Sequence, residues 1–124
     1  PFRFCKLALA PIDREALRTR IRQRFLTMIE QGLIDEVQAL RSTGTLTPNL
    51  PSMRAVGYRQ GWEYLDGKID WETFKEQGIA ATRQLAKRQL TWLRAIHQKE
   101  TFDPINADEL QTCCEVCLAH CHIV

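Results

Sequence analysis

Arginine is the residue type best placed to do chemistry in this chain, and three arginine-bearing segments stand out. The first centres on Arg24. Leu17, Ile21, Arg24 and Met28 follow one another at spacings of four, three and four, which puts them on one line of a helix. The rest of the line is apolar. The guanidinium therefore stands at the edge of a buried face and must find an anion or several acceptors. Its fixed charge and planar fork suit bidentate contact with a phosphate. A structural ion pair, or an arginine whose stem covers apolar surface while its head stays in water, fits the same pattern.

The second segment is Pro51-Ser-Met-Arg-Ala-Val-Gly-Tyr-Arg59. Arg54 and Arg59 flank Ala55, Val56, Gly57 and Tyr58. Gly57 lets another backbone approach closely, and Tyr58 offers a ring on which a base can stack. The two arginines suit phosphates. The plainer reading is a helix with two solvated arginines and a core tyrosine.

The third segment is Ala81-Thr-Arg-Gln-Leu-Ala-Lys-Arg-Gln-Leu-Thr-Trp-Leu-Arg94. Arg83, Lys87, Thr91 and Arg94 form a row along one side of a helix. Gln84, Arg88 and Gln89 lie beside that row, and Leu85, Trp92 and Leu93 serve other faces. No acidic residue occurs in residues 79–96. A solvated helix face usually mixes charge signs, whereas cations without interleaved carboxylates suit phosphates of RNA or a polyphosphate.

Cys113, Cys117, His120 and Cys121 fall on one face of a helix near the end of the chain, close to Cys114 and His122. Such a face suits zinc, but no second ligand pair supports a zinc module, and His97 is remote. These cysteines also read as small core residues, and no metal site is assigned. The chain has no Gly-x-x-x-x-Gly-Lys-Ser/Thr loop, no Gly-x-Gly-x-x-Gly turn and no evident general base. No catalytic residue is assigned within it.

The elements that must hold these side chains are mainly helical. Residues 2–10 alternate and stop at Pro11, which reads as one strand. One strand makes no sheet, so its partners are expected from a missing part of a longer protein or from a second copy, which would self-associate. Asp13 caps a helix to about residue 31, with Gly32 as its stop and Leu17, Ile21, Phe25, Met28 and Ile29 as its apolar stripe. A second helix covers residues 33–42 and ends near Gly44. Ser52 is expected to cap a third, carrying Tyr58, Trp62 and Leu65. Asp66-Gly67 reads as a turn. Asp70 caps a long helix to about residue 97, in which Gly78 marks a break or a close contact. Phe102-Asp103-Pro104 reads as a loop preceded by a short extended piece, and a last helix covers residues 107–119. The domain reading is a strand in residues 1–11, a helical body in residues 12–97, and a loop with a C-terminal helix in residues 98–124.

Bulk composition sets limits around this pattern. Of 124 residues, 44% are hydrophobic and 26% charged, which supports a packed core. The net charge of +2 would not by itself suggest nucleic acid, but basic residues concentrate in residues 14–24 and 83–94. No apolar run is long enough to span a membrane. The odd count of five cysteines, without a secretory leader, reads as reduced cytoplasmic thiols.

Three blocks together resemble one family. Arg20-Ile-Arg-Gln-Arg24-Phe25 with Met28, Gly32, Leu33, Glu36 and Val37 is similar to the tRNA dimethylallyltransferase (isopentenyltransferase) family. So are Leu50-Pro-Ser-Met-Arg-Ala-Val-Gly-Tyr-Arg-Gln60 and, most closely, the block that ends at Arg94. The resemblance implies a parent enzyme that transfers a dimethylallyl group from dimethylallyl diphosphate to the exocyclic amine of an adenine beside the anticodon. It implies a P-loop-kinase-like α/β fold, magnesium, and a P-loop and catalytic aspartate that this chain lacks. The chain is then a C-terminal segment, inactive by itself. By the same resemblance Arg24 contacts the donor diphosphate. Residues 54–59, together with Arg83, Gln84, Lys87, Arg88, Gln89, Thr91, Trp92 and Arg94, contact tRNA. The tail lacks the paired spacing of the zinc finger found in some eukaryotic members, which implies a bacterial type. A non-catalytic helical RNA-binding module and a metal-binding regulatory domain are the competing readings.

Overall fold

The computed structural model describes residues 5–121. In chain order the elements are β1 (Leu7–Leu9), α1 (Arg14–Glu30), α2 (Leu33–Ser42), a 3-10 turn (Ser52–Arg54), α3 (Tyr58–Leu65), α4 (Trp71–Ala95), β2 (Glu100–Phe102) and α5 (Ala107–Cys121). The fold is mainly α, with one strand ahead of five α-helices, as the periodicity implies. Part of the strand expected at residues 2–10 lies outside the described residues. The chain divides into two compact units, Arg18–Ala86 and the segments that flank it.

The unit Arg18–Ala86 is helical. Ile21 and Phe25 are the buried members of α1, and Gly32 ends that helix as expected. Leu33 and Val37 are buried on α2, Val37 completely. Helix α3 packs on α2, with Gly61 placed against Val37. Trp62 is buried beneath Arg41, whose guanidinium lies 5.8 Å from the ring centroid and pairs with Asp66 at 2.7 Å. The Oδ1 atom of Asp70 accepts the Thr73 N–H at 2.7 Å and caps α4. That bond to the Thr73 backbone holds the Asp70 carboxyl below its usual range. Phe74 is fully buried, with ring centroids 5.7, 5.7 and 5.4 Å from those of Phe25, Tyr64 and Trp71.

Ser52 does not cap the third helix. It opens a single 3-10 turn that ends at Arg54, Ala55 takes an extended conformation at ψ 144°, and α3 starts only at Tyr58. Between them Gly57 adopts φ +96° and ψ −56°, where a side chain would be strained. Its N–H donates to the Gln60 Oε1 at 2.9 Å, which fixes the start of α3.

The flanking unit contains β1, β2, α5 and the adjoining ends of α1 and α4. Here the expectation of an unpaired strand is overturned. β1 pairs in parallel with β2, with Leu7 opposite Glu100, Ala8 opposite Thr101 and Leu9 opposite Phe102. β2 is three residues long, too short to show an alternating pattern, and it supplies what the apolar run at the start required. Asp13 caps α1 through the N–H groups of Glu15 and Ala16. Asp103 is buried and fully engaged: its carboxylate accepts the N–H groups of Ile12 and Ile105, and its own N–H donates to Glu109. Asn106 caps α5, and Cys113 of that helix is buried.

Candidate functional site

Helix α4 carries the densest set of chemically competent side chains. Asp70 fixes its start, and burial of Phe74, Gly78 and Ile79 fixes which side faces the core of the helical unit. Arg83 and Gln84, near the end of that unit, are exposed. Lys87, Arg88, Gln89, Thr91, Trp92 and Arg94, on the stretch belonging to the flanking unit, are exposed as well. Among the described residues, none of Arg83, Lys87, Arg88 and Arg94 has an ion-pair partner. The Thr91 hydroxyl donates to the Lys87 carbonyl at 3.0 Å, so it offers a ligand only its lone pairs. Trp92 is 80% exposed, a large aromatic surface left in water beside cations. Uncompensated cations and a free indole face suit phosphates and an unstacked base.

The Arg54–Arg59 segment is arranged differently from the sequence expectation. Arg54 and Ala55 are exposed, Val56 is half-buried and Gly57 is buried. Arg54 has no ion-pair partner among the described residues, whereas Arg59 pairs with Glu63 at 3.3 Å. Both side chains of that pair keep solvent contact, so the pair is a weak restraint. Tyr58 is half-buried and its hydroxyl donates to the Glu36 carboxylate on α2. That hydrogen bond, burial and the charge of Glu36 together raise the Tyr58 pKa. Arg59, which the sequence leaves solvated or open to phosphate, thus has a local acid, and Tyr58 too is tied to a carboxylate.

Arg24 is exposed and has neither an ion pair nor a hydrogen bond among the described residues. The structural ion pair that its spacing allowed is not formed among them. The tail brings no metal-binding group of three side chains together among the described residues. Cys113 is buried, Cys114, Cys117 and His120 are exposed, and the His120 Nδ1 meets the Val116 carbonyl at 2.9 Å. The side chain of Cys121 and all of His122 lie outside the described residues.

Sequence reasoning missed Glu36 and Gln60 as supports of the Gly57-Tyr58 turn. Gln60 had a legible signal, since it stands at the third helical position after the cap, where a side chain reaches back to the cap N–H. Glu36 had none, because its contact spans 22 residues of sequence.

The family model described as IPP transferase matches residues 1–96. A tRNA dimethylallyltransferase of Bordetella petrii is 60% identical over 103 residues, which are 83% of this chain and 33% of that protein. One from Thiobacillus denitrificans is 56% identical over 112 residues, 90% of this chain and 36% of that protein. The chain therefore spans about a third of the length of these relatives. Among solved structures, the full-length tRNA isopentenylpyrophosphate transferase of Bacillus halodurans superposes with a TM-score of 0.82 at 30% identity, covering 94% of this chain and 39% of that one. The Staphylococcus epidermidis tRNA isopentenylpyrophosphate transferase gives 0.77 at 29% identity, covering 93% and 36%.

Proposed function

The chain belongs to the IPP transferase (tRNA dimethylallyltransferase) family, and from that premise we propose that it is the tRNA-gripping part of a tRNA-modifying prenyltransferase that works in the cytoplasm. The parent reaction joins the exocyclic amine of an adenine beside the anticodon to the dimethylallyl carbon. The bond from that carbon to the diphosphate oxygen breaks, diphosphate leaves, and the amine loses a proton to a base. In this reading Arg24 faces the leaving diphosphate, where a cation stabilises the developing charge. Arg54, Arg83, Lys87, Arg88 and Arg94 hold RNA phosphates. Arg59 and Gln89 add polar contacts, and Trp92 gives a splayed base a surface to stack on.

The observation that carries the reading is the C-terminal half of α4. Four exposed cations without acid partners among the described residues accompany an indole that is 80% exposed. Water-facing tryptophan costs apolar exposure, which a base-stacking role offsets.

The phosphate loop and the aspartate base are proposed to come from the rest of the parent protein. So are the ligands of magnesium, since no group of three carboxylate, histidine or cysteine side chains is assembled among the described residues. The test is transfer itself. Full-length protein, dimethylallyl diphosphate and tRNA are incubated, and the modified nucleoside is identified by mass after digestion. A dimethylallyl adduct on adenine supports the reading, and tRNA that stays unmodified under conditions where it binds the protein refutes it. The 124-residue chain alone is expected to give no transfer.

A further inference from the structure

A groove of about 410 Å³ lies wholly within the flanking unit, where β1 runs out toward α1. Its apolar part comes from Ala8, Leu90 and Leu93. Three cations line it: Arg14 from the start of α1, Arg94 from the end of α4 and Lys99 from the turn before β2. No carboxylate is among its lining residues. Two acids near it in the sequence are held by backbone N–H groups. The Oδ1 atom of Asp13 accepts backbone N–H groups of α1, and the Asp103 carboxylate accepts those of Ile12 and Ile105. Neither Arg14, Arg94 nor Lys99 has an ion-pair partner among the described residues.

The turn that delivers Lys99 has an unusual backbone. Gln98 has φ +54°, and among the described residues no other non-glycine has positive φ. A left-handed conformation costs free energy in a residue with a side chain, so it persists where surrounding contacts impose it. Here the Lys99 Nζ donates to the Ile96 carbonyl at 2.7 Å, which closes the turn and leaves the ammonium two further protons. Three positive charges that line one groove with no carboxylate among its lining residues repel one another, and a bound anion relieves that repulsion.

We propose that this groove binds a phosphodiester of the RNA backbone, with Arg14 and Lys99 as phosphate contacts beyond the α4 row. An RNA phosphate is favoured over a free anion because the groove shares Arg94 with the helix that exposes Trp92. Its apolar wall, moreover, suits a ribose next to the phosphate rather than a fully hydrated ion. The inference rests on the proposed tRNA-binding reading and adds two residues and a location to it.

The test uses full-length protein and tRNA across a salt series, with Lys99→Gln, Lys99→Arg and Arg14→Gln. Lys99 is half-exposed, so Lys99→Gln is expected to fold, and it carries the test if Arg14→Gln proves unstable. Lys99→Gln should weaken tRNA binding roughly threefold to tenfold and lower the slope of log affinity against log salt by about 0.7–0.9, while Lys99→Arg retains both. Lys87→Gln with Arg88→Gln serves as the reference. If that pair weakens binding while Lys99→Gln and Arg14→Gln leave affinity and slope unchanged, the groove inference is overturned and the α4 interface stands. If the reference pair also has no effect, the tRNA-binding reading fails first. Titration with inorganic diphosphate separates the remaining source: loss of diphosphate binding in Lys99→Gln with tRNA binding intact makes the groove a small-anion site and sinks the RNA proposal.

Discussion

Gly78 and Phe25 occupy the same space: a Cβ built on Gly78 would lie 2.0 Å from the Phe25 Cζ and 2.6 Å from its Cε1. The absence of a side chain at one residue of α4 is what lets the ring from α1 seat, 3% exposed and 5.7 Å from the Phe74 ring. Glycine in a helix interior is unfavourable by about 1 kcal/mol relative to alanine, and the seated ring offsets that cost.

Gly78→Ala decides between the two effects. Helix propensity alone would raise stability, whereas overpacking of a tight core costs about 1–3 kcal/mol. Phe25 is 3% exposed and lies against Phe74, so it has little room to yield. The expected net result is a lower melting temperature, partly restored by adding Phe25→Leu. A melting temperature that rises in Gly78→Ala would show the ring to be mobile.

The Tyr58–Glu36 bond makes the Gly57-Tyr58 turn sensitive to alkali. The folded protein holds the Tyr58 proton to higher pH than an unfolded chain does. The stabilisation is therefore fully present below the ordinary tyrosine value near 10 and is lost as pH rises through the folded-state value. Tyr58→Phe should cost about 0.5–1 kcal/mol at neutral pH, below the usual range for a bond to a charged group because the site meets solvent. It should also flatten the fall in stability on the alkaline side, measured by urea melts at several pH values. Identical pH profiles for the two proteins would remove the bond from the account.

The boundaries of α2 were legible because Gly32 precedes an apolar three-four pattern, and both α1 and α4 announce their starts with a capping aspartate. The cationic stretch of α4 was legible for a related reason: helical spacing fixes which residues share a face, and a missing charge sign is visible in a string. What failed was long range. A short extended piece before the Phe102 loop was legible, but its pairing was not, because β1 stands 93 residues away in register and three residues carry no period of their own. The start of α3 was misplaced because Gly57 turns the chain in a conformation that is set by Gln60 and not by Ser52. Arg59 looked free in the sequence although Glu63 stands one helical turn on, a spacing that deserved reading as a pair.

Arg24 separates a donor role from a structural one. It is exposed and unpaired among the described residues, so Arg24→Ala should change the melting temperature little. In the full-length protein the same substitution should raise the KM for dimethylallyl diphosphate or lower kcat, by about tenfold or more if a charge-assisted bond worth 1.5–3 kcal/mol is lost. The KM for tRNA should move less than that for the diphosphate. A lower melting temperature with unchanged donor kinetics would assign Arg24 to packing.

Lys87 and Arg88 test the proposed RNA interface by comparison with Arg59, whose charge is already paired. Binding to RNA phosphates releases counterions, so each contact removed lowers the salt slope by about 0.7–0.9. Neutralising Lys87 and Arg88 together should weaken tRNA binding and reduce that slope by up to about 1.8. Arg59→Gln starts from a side chain already shared with Glu63, so its loss should cost less affinity and less slope than either α4 cation. Filter binding of tRNA between low and physiological salt gives both quantities for each variant. Equal effects at all three positions would mean that the Glu63 pair opens on binding, and an effect confined to Arg59 would move the interface from α4 to the start of α3.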